Sequence, residues 1–503
     1  MFNYLGTVRA STAAPRAWSV GLVVACLSGG LGACDSDDDT GSKSSAEAKA
    51  GSGGSSAGSK AGASGASGKQ ADAVKAGAGG KSDAPSDEPE GGAGGTDGTG
   101  DEPEAGAGGA GDEPKAGTGG ASAEPKAGAG GVGGSGPEAK NGYGLITSVS
   151  SADSSMSYFA FLDAVAPQEV KLSDAREFSG LADAWVHDGA VFVTSKEDVT
   201  ITKYHVKDGE LVPETTVSFA DYGLDDLGFW TNIFISPTKA FLIHGVTEYV
   251  VWNPKEMVIL GTVQMPKLTA PKGLKPFASY TDRSVVIRDG LLYHPFYYTD
   301  DDYFSYSPTS SIAVYDVKTD KLVRVIEAPC PGLDHATIDE KGDIYFSAWI
   351  FAPGGAATLD QPATCVAKIA KSDDKATVAF QVKDITDGRE GGVFRYTGNG
   401  NAILSVIHPD HATAEELGDP AAVTYGANWR FWSYDFKTGK ASVIDSIDWN
   451  AGAAYAGAAD GKAYALLPDG GYTSTTIWDV TNPADPKSLF KVDGWVLRLF
   501  ELP

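Results

Sequence analysis

The chain has 503 residues, 42% hydrophobic and 21% charged, with a formal net charge of −26. That length allows two or more domains. The acidic balance and the lack of a Lys/Arg cluster exclude a nucleic-acid partner, since phosphate binding needs clustered cations to release counterions. The 64 glycines are unevenly spread and pile up before position 140, so the chain divides by composition before any motif is read.

Residues 1–34 read as an export signal. Arg9 and Arg16 precede the apolar run Trp18–Leu27, which is too short to span a bilayer. The run ends in Leu31-Gly32-Ala33-Cys34, which resembles the bacterial lipobox; the resemblance implies that Cys34 is lipidated and becomes the mature N-terminus. An ordinary cleavable signal is the alternative. Residues 35–140 repeat Gly, Ala, Ser, Pro, Glu and Lys in phrases such as Asp101-Glu102-Pro103-Glu104. With almost nothing to bury, this segment is expected to be a disordered tether. As a coil it would span roughly 55–60 Å, enough to hold a domain away from a membrane.

Residues 141–503 are organised by a recurring hairpin. Ile312–Val325 (IAVYDVKTDKLVRV) alternates apolar and polar residues on either side of a tight turn. The phrase returns at Thr202–Val217, Glu248–Val263 and Phe431–Ile447, and more weakly at Val366–Val382, Ile477–Val492 and Tyr158–Leu172. Before most copies comes another hairpin with an Asp-Gly or Gly-Asn turn, as at Asp188-Gly189, Asp289-Gly290 and Asp460-Gly461. Units of two hairpins recurring about every 43–65 residues predict an all-β, seven-bladed β-propeller. Only six full first hairpins separate the seven copies. The C-terminal Trp495–Leu502 is therefore predicted to pair with Tyr143–Val149 and close the ring. An eight-bladed ring or a two-sheet sandwich is the alternative architecture.

In such a blade the loops after the second and fourth strands emerge on one face of the disc. His244, His294 and His408 close second strands in this reading. His335 opens a first strand on the same face, and His411 follows His408. Imidazoles gathered on one rim imply hydrogen-bonded histidines in a polar funnel, a metal site (His408 and His411 having ligand spacing), or an acid/base pair. The rim is also aromatic and acidic. The stretch Tyr297-Tyr298-Thr299-Asp300-Asp301-Asp302-Tyr303-Phe304 forms a long loop, and Trp349, Phe351 and Trp429 leave neighbouring blades. Aromatic rings beside polar groups favour flat or sugar-like ligands. The three aspartates lack the spacing and glycine of an EF-hand loop, so a solvated acidic loop competes with a Ca²⁺ site. Arg283, Lys272, Lys275 and Arg389 fall on the same face, either as surface charge or as contacts for an anionic ligand. Cys330 and Cys365 also fall there, and one disulfide joining the fourth and fifth blades is expected.

The lipobox, the Gly-rich acidic tether and repeats containing Val250-Val251-Trp252-Asn253-Pro254-Lys255-Glu256-Met257 together resemble the MxcI-type lipoproteins of myxobacteria. The blades are similar to the YVTN and quinoprotein-like seven-bladed propellers. Some MxcI-type proteins are encoded beside siderophore genes, so the resemblance implies a rim that binds a ferric chelate or supports its uptake. The expected protein is a monomeric, lipid-anchored propeller of the cell envelope, periplasmic or surface-exposed and on the outer rather than the inner membrane. It would bind a small-molecule ligand, a metal ion or ferric chelate, or an envelope protein, through His244, His294, His335, His408, Tyr297, Tyr298, Trp349, Trp429 and Arg389. A metal-dependent oxidoreductase or lyase and a protein-interaction scaffold are the alternatives.

Overall fold

The structure is a computed structural model that describes residues 142–503, apart from 152–153, 197, 225–226, 228–231, 280 and 453–454. The export signal, the lipobox cysteine Cys34 and the tether lie outside the described residues. Among the described residues no helix is long and apolar enough to cross a membrane.

The recurring phrase has a physical basis that repeats with it. In four of the copies an aromatic residue stands next to last in the third strand of a blade and an Asp or Asn ends it. Asp316 Oδ1 accepts from the backbone N–H of Lys318 and Thr319, and Asn253 Oδ1 accepts from Lys255 and Glu256. Asp435 and Asp479 make the same bond to Lys437 and Thr481. These turns reverse the chain without a ladder, as short Asx side chains do. The preceding aromatics Trp252 and Tyr315 are fully buried. Five of these hairpins shift register within their third strand, for example between Val251 and Trp252 and between Val314 and Tyr315. Each shift adds local twist, which helps one blade follow the next around a ring.

Seven antiparallel sheets result, each ordered in space as in sequence except the first. Central strands are buried on both faces because each blade is sandwiched between two others; Glu248–Asn253 has five buried residues out of six. Outer strands such as Val258–Gln264 alternate exposed and half-buried residues, since one of their faces meets solvent. In the first blade, Trp495–Glu501 takes the innermost place and pairs with Tyr143–Ser150, Tyr143 opposite Glu501 and Leu145 opposite Leu499. The ends of the domain thus close the ring, as the shortage of one hairpin predicted.

Two local readings need correction. The outer strand of blade 1 is Arg176–Ser179 rather than the run ending at Leu172, because residues between Leu162 and Arg176 make a loop with a single 3-10 turn. The second strand of blade 4 runs from Leu291 to Thr299, so His294 lies inside it and does not close it. Blade 4 is also irregular at its inner edge. Lys275–Ala278 and Val286–Arg288 both pair with Leu291–Thr299, and the chain between them leaves the sheet carrying Asp282 and Arg283.

The predicted disulfide is present. Cys330 follows the outer strand of blade 4 and Cys365 opens the third strand of blade 5, with Cα atoms 5.5 Å apart.

Candidate functional site

The innermost strands meet at the axis, and there the charges are paired. Arg498, on the C-terminal strand, donates to both oxygens of Asp183 at 3.0 and 2.7 Å and to both oxygens of Asp282 at 2.7 and 3.1 Å. Asp183 belongs to blade 2 and Asp282 to blade 4, so one guanidinium ties three blades together across the centre. Burial alone would raise the Asp282 carboxyl, but Arg498 beside it holds it below its ordinary value. Arg283 donates to the carbonyl of Leu497, and Arg395 to that of Ala336 at 3.4 Å. His335 stands in this cluster, and its pKa is pushed down to about 3 by burial and by Arg283 and Arg395. Neither of its ring nitrogens has a hydrogen-bond partner among the described residues.

Between blades 4, 5 and 6 lies a cavity of about 560 Å³. Its wall is a chain of rings. Tyr297 stacks on Phe277 at 4.9 Å, Phe277 meets Tyr303 edge-on at 5.4 Å, and Tyr303 leads to Phe351 at 5.7 Å. Phe351 in turn packs against Trp349 and Tyr425 at 5.2 and 5.8 Å. Phe351 opens a short helix, Phe351–Thr358, which packs against a second one, Pro420–Tyr425. The approach needs glycine. A side chain at Gly354 would collide with Thr424, and one at Gly355 with the carbonyl of Phe304.

The cavity is also acidic. Its lining holds Asp300, Asp301, Asp302, Asp334 and Asp419 and no lysine or arginine. Asp300 accepts from the N–H of Phe304 and Ser305, and Asp419 caps the Pro420–Tyr425 helix through Ala421. Asp301 reaches Lys275 at the border, 2.6 Å away. Asp334 is deeply buried. Burial pushes its carboxyl up to about 6, against the bonds that Ser279 and Ser284 donate to its Oδ1.

Of the residues proposed from sequence, Tyr297 and Trp349 line this cavity, with Asp300, Asp301, Asp302, Tyr303, Phe304 and Phe351 of the flagged loops. The others are elsewhere. Tyr298 alternates to the other side of its strand, its hydroxyl 2.8 Å from Ser311 Oγ. Trp429 is fully buried and donates its indole N–H to the carbonyl of Thr424 at 2.8 Å, so it braces the loop instead of lining it. Arg389 pairs with Asp410 at 3.4 Å.

The histidines do not gather. His294 is fully buried, one ring nitrogen on the Tyr249 hydroxyl and the other on the Ser279 carbonyl, and burial lowers its pKa to about 4. It is a core histidine, not a rim ligand. His244 is half-buried in blade 3, 3.9 Å from Glu248. His408 and His411 both pack on Trp449, edge-on at 5.1 Å and stacked at 3.7 Å respectively. Among the described residues no three His, Cys, Asp or Glu side chains are grouped to hold a metal ion.

Asp334, Tyr425 and Asp419 were missed by sequence reading. A signal existed for the last two: the chain between Ile407 and Trp429 is long for a propeller loop, and long loops on a rigid scaffold carry binding. For Asp334 nothing beyond its place beside His335 marked it.

Fold and site together define a seven-bladed propeller with a buried charge cluster on its inner strands and an aromatic, acidic cavity lined by blades 4, 5 and 6. No protein-family description matches the sequence, and no curated protein matches it. Among solved structures the chain is similar to BamB from Moraxella catarrhalis (10% identity, 63% of this chain, 74% of that one, TM-score 0.33). It is also similar to apo AztD from Citrobacter koseri, at 11% identity, 71% and 97% coverage and a TM-score of 0.35. The computationally designed Ika8 protein matches at 10% identity over 62% of this chain and 86% of that one, with a TM-score of 0.34. Likenesses this distant carry no functional argument.

Proposed function

We propose that this protein is a membrane-anchored, extracytoplasmic binding propeller whose small-molecule ligand enters the cavity between blades 4, 5 and 6. The observation that carries the reading is the continuous aromatic wall around a space of about 560 Å³, within the range of small-ligand sites. The anchor rests on Leu31-Gly32-Ala33-Cys34 and the reach on the Gly-rich segment that follows. A ferric chelate is the specific ligand implied by the likeness to siderophore-associated lipoproteins. The cavity restricts that version to chelates that are neutral or cationic as a whole, because five carboxylates line it.

The test is thermal unfolding of the full chain against neutral and charged ferric chelates, bare metals, sugars and amines. A ligand binding only the folded state at a hundredfold excess over its dissociation constant stabilises by about 2.7 kcal/mol. A shift that disappears in Trp349→Ala supports the reading. A shift that survives in Trp349→Ala and in Tyr297→Ala places the ligand elsewhere and overturns it. The mass of the mature protein tests the anchor, which requires diacyl or triacyl Cys34 at the N-terminus.

A further inference from the structure

We propose that the cavity selects an organic cation, an aryl- or alkylammonium group, with its charge set against Asp334 and its apolar body against the rings of Trp349, Phe351 and Tyr297. This rests on the reading of the cavity as a ligand site and adds the class of ligand. Three observations point the same way. The lining carries five carboxylates and no lysine or arginine, and Lys275 at its border is engaged by Asp301. Both bonds to Asp334 end on Oδ1, which leaves Oδ2 without a donor among the described residues. The hydroxyl of Tyr425, a residue 1% exposed in the same lining, has no hydrogen-bond partner among them either.

A metal cation fits these groups poorly. Calcium takes six to eight oxygens and magnesium about six at fixed geometry. Here Asp300 is turned on to its own loop, Asp301 on to Lys275, and Asp419 on to its helix, so the carboxylates do not converge. Aromatic faces offer no lone pairs to a hard ion, but their negative quadrupole attracts an ammonium whose hydration is weak. The electrostatic field of the site and its apolar wall are therefore both used only by a cation that carries hydrocarbon. The axial cluster shows the contrast within the same molecule, because there the protein supplies the guanidinium itself.

The experiment titrates the full chain by calorimetry at neutral pH with three probes sharing one phenyl body: 2-phenylethylammonium, 2-phenylethanol and 3-phenylpropanoate. The ammonium is expected to bind about tenfold tighter than the alcohol, and the carboxylate weakest. Asp334→Asn keeps the acceptor for Ser279 and Ser284, so the fold is retained. It should reduce the preference for ammonium over alcohol to about threefold or less. Asp302→Asn is a second, exposed variant and should lower the same preference by a smaller factor. Equal binding of ammonium and alcohol in the unmodified protein would overturn the cation while leaving the cavity as a ligand site. Tightest binding of the carboxylate would overturn it in favour of an anion site. Failure of every probe, with no displacement by any ligand that shifts unfolding, would overturn the cation and the cavity reading together.

Discussion

The axial cluster and the cavity both hold carboxylates and put them to opposite uses. At the axis two carboxylates, Asp183 and Asp282, are shared by one guanidinium, so the charges are spent within the protein. In the cavity five carboxylates line a space with no lysine or arginine in its wall. A charge cluster that is paired and buried holds blades together; one that is left open to a cavity is available to something else. The histidines follow the same division. His294 and His335 are kept neutral by burial in core and axis, and neither faces the cavity.

Removing Arg498 should break the axis most severely. Arg498→Ala leaves Asp183 and Asp282 without their cation and is expected to cost about 5 kcal/mol, the upper end for a broken buried pair. Denaturant unfolding measures it, and a loss within about 0.5 kcal/mol would show that the cluster ties nothing.

The disulfide stands on the cavity side of the comparison, because Asp334, Trp349, Phe351 and Leu359 all lie within the loop of separation 35 that it closes. Replacing both Cys330 and Cys365 by serine should destabilise the domain by about 2–4 kcal/mol through the unfolded chain's regained freedom. Cavity binding should weaken with it while the Arg498 pairs hold, which separates the two regions in one variant.

Asp334 sharpens the contrast through pH. Its folded-state pKa of about 6 lies above the ordinary 3.8, so the fold favours the protonated acid. Its contribution to stability is complete below the unfolded value and is lost as pH rises through about 6, reaching about 3 kcal/mol. Asp334→Asn should therefore gain stability relative to the natural protein at pH 8 and little at pH 4, read from paired denaturation curves. His294, with its pKa lowered to about 4 from 6.5, acts in the opposite sense: its stabilisation is present above 6.5 and lost as pH falls through about 4. The Asp334 effect is thus isolated by the difference between variant and natural protein, not by the natural profile alone.

The smallest effect belongs to the border. Lys275 and Asp301 are both substantially exposed, and Lys275→Ala should change stability by less than about 0.5 kcal/mol. If the cavity takes a cation, removing this competing ammonium should tighten binding of the phenylethylammonium probe, and no change would place the probe far from Asp301.

The sequence by itself determined the blades. Alternation, Asx turns after an aromatic, and Asp-Gly hairpins are local events whose outcome depends on neighbours a few residues away, so seven copies could be counted and the missing strand assigned to Trp495–Leu502. It also grouped several residues that line the cavity, since Tyr297 near a strand end and Trp349, Phe351 and the Asp300–Asp302 run just beyond strands fall on a side of the disc that follows from strand order. Only the tertiary structure decided which of those side chains converge. A period of two puts Tyr298 opposite Tyr297, yet which of them looks into a cavity depends on the blade packed alongside. His294 reads as a rim residue until its strand is seen to run five residues further, to Thr299. Asp183, Asp282 and Arg498 are far apart in the chain and meet because a ring brings its inner strands to one axis, a long-range consequence of closure that no local pattern records.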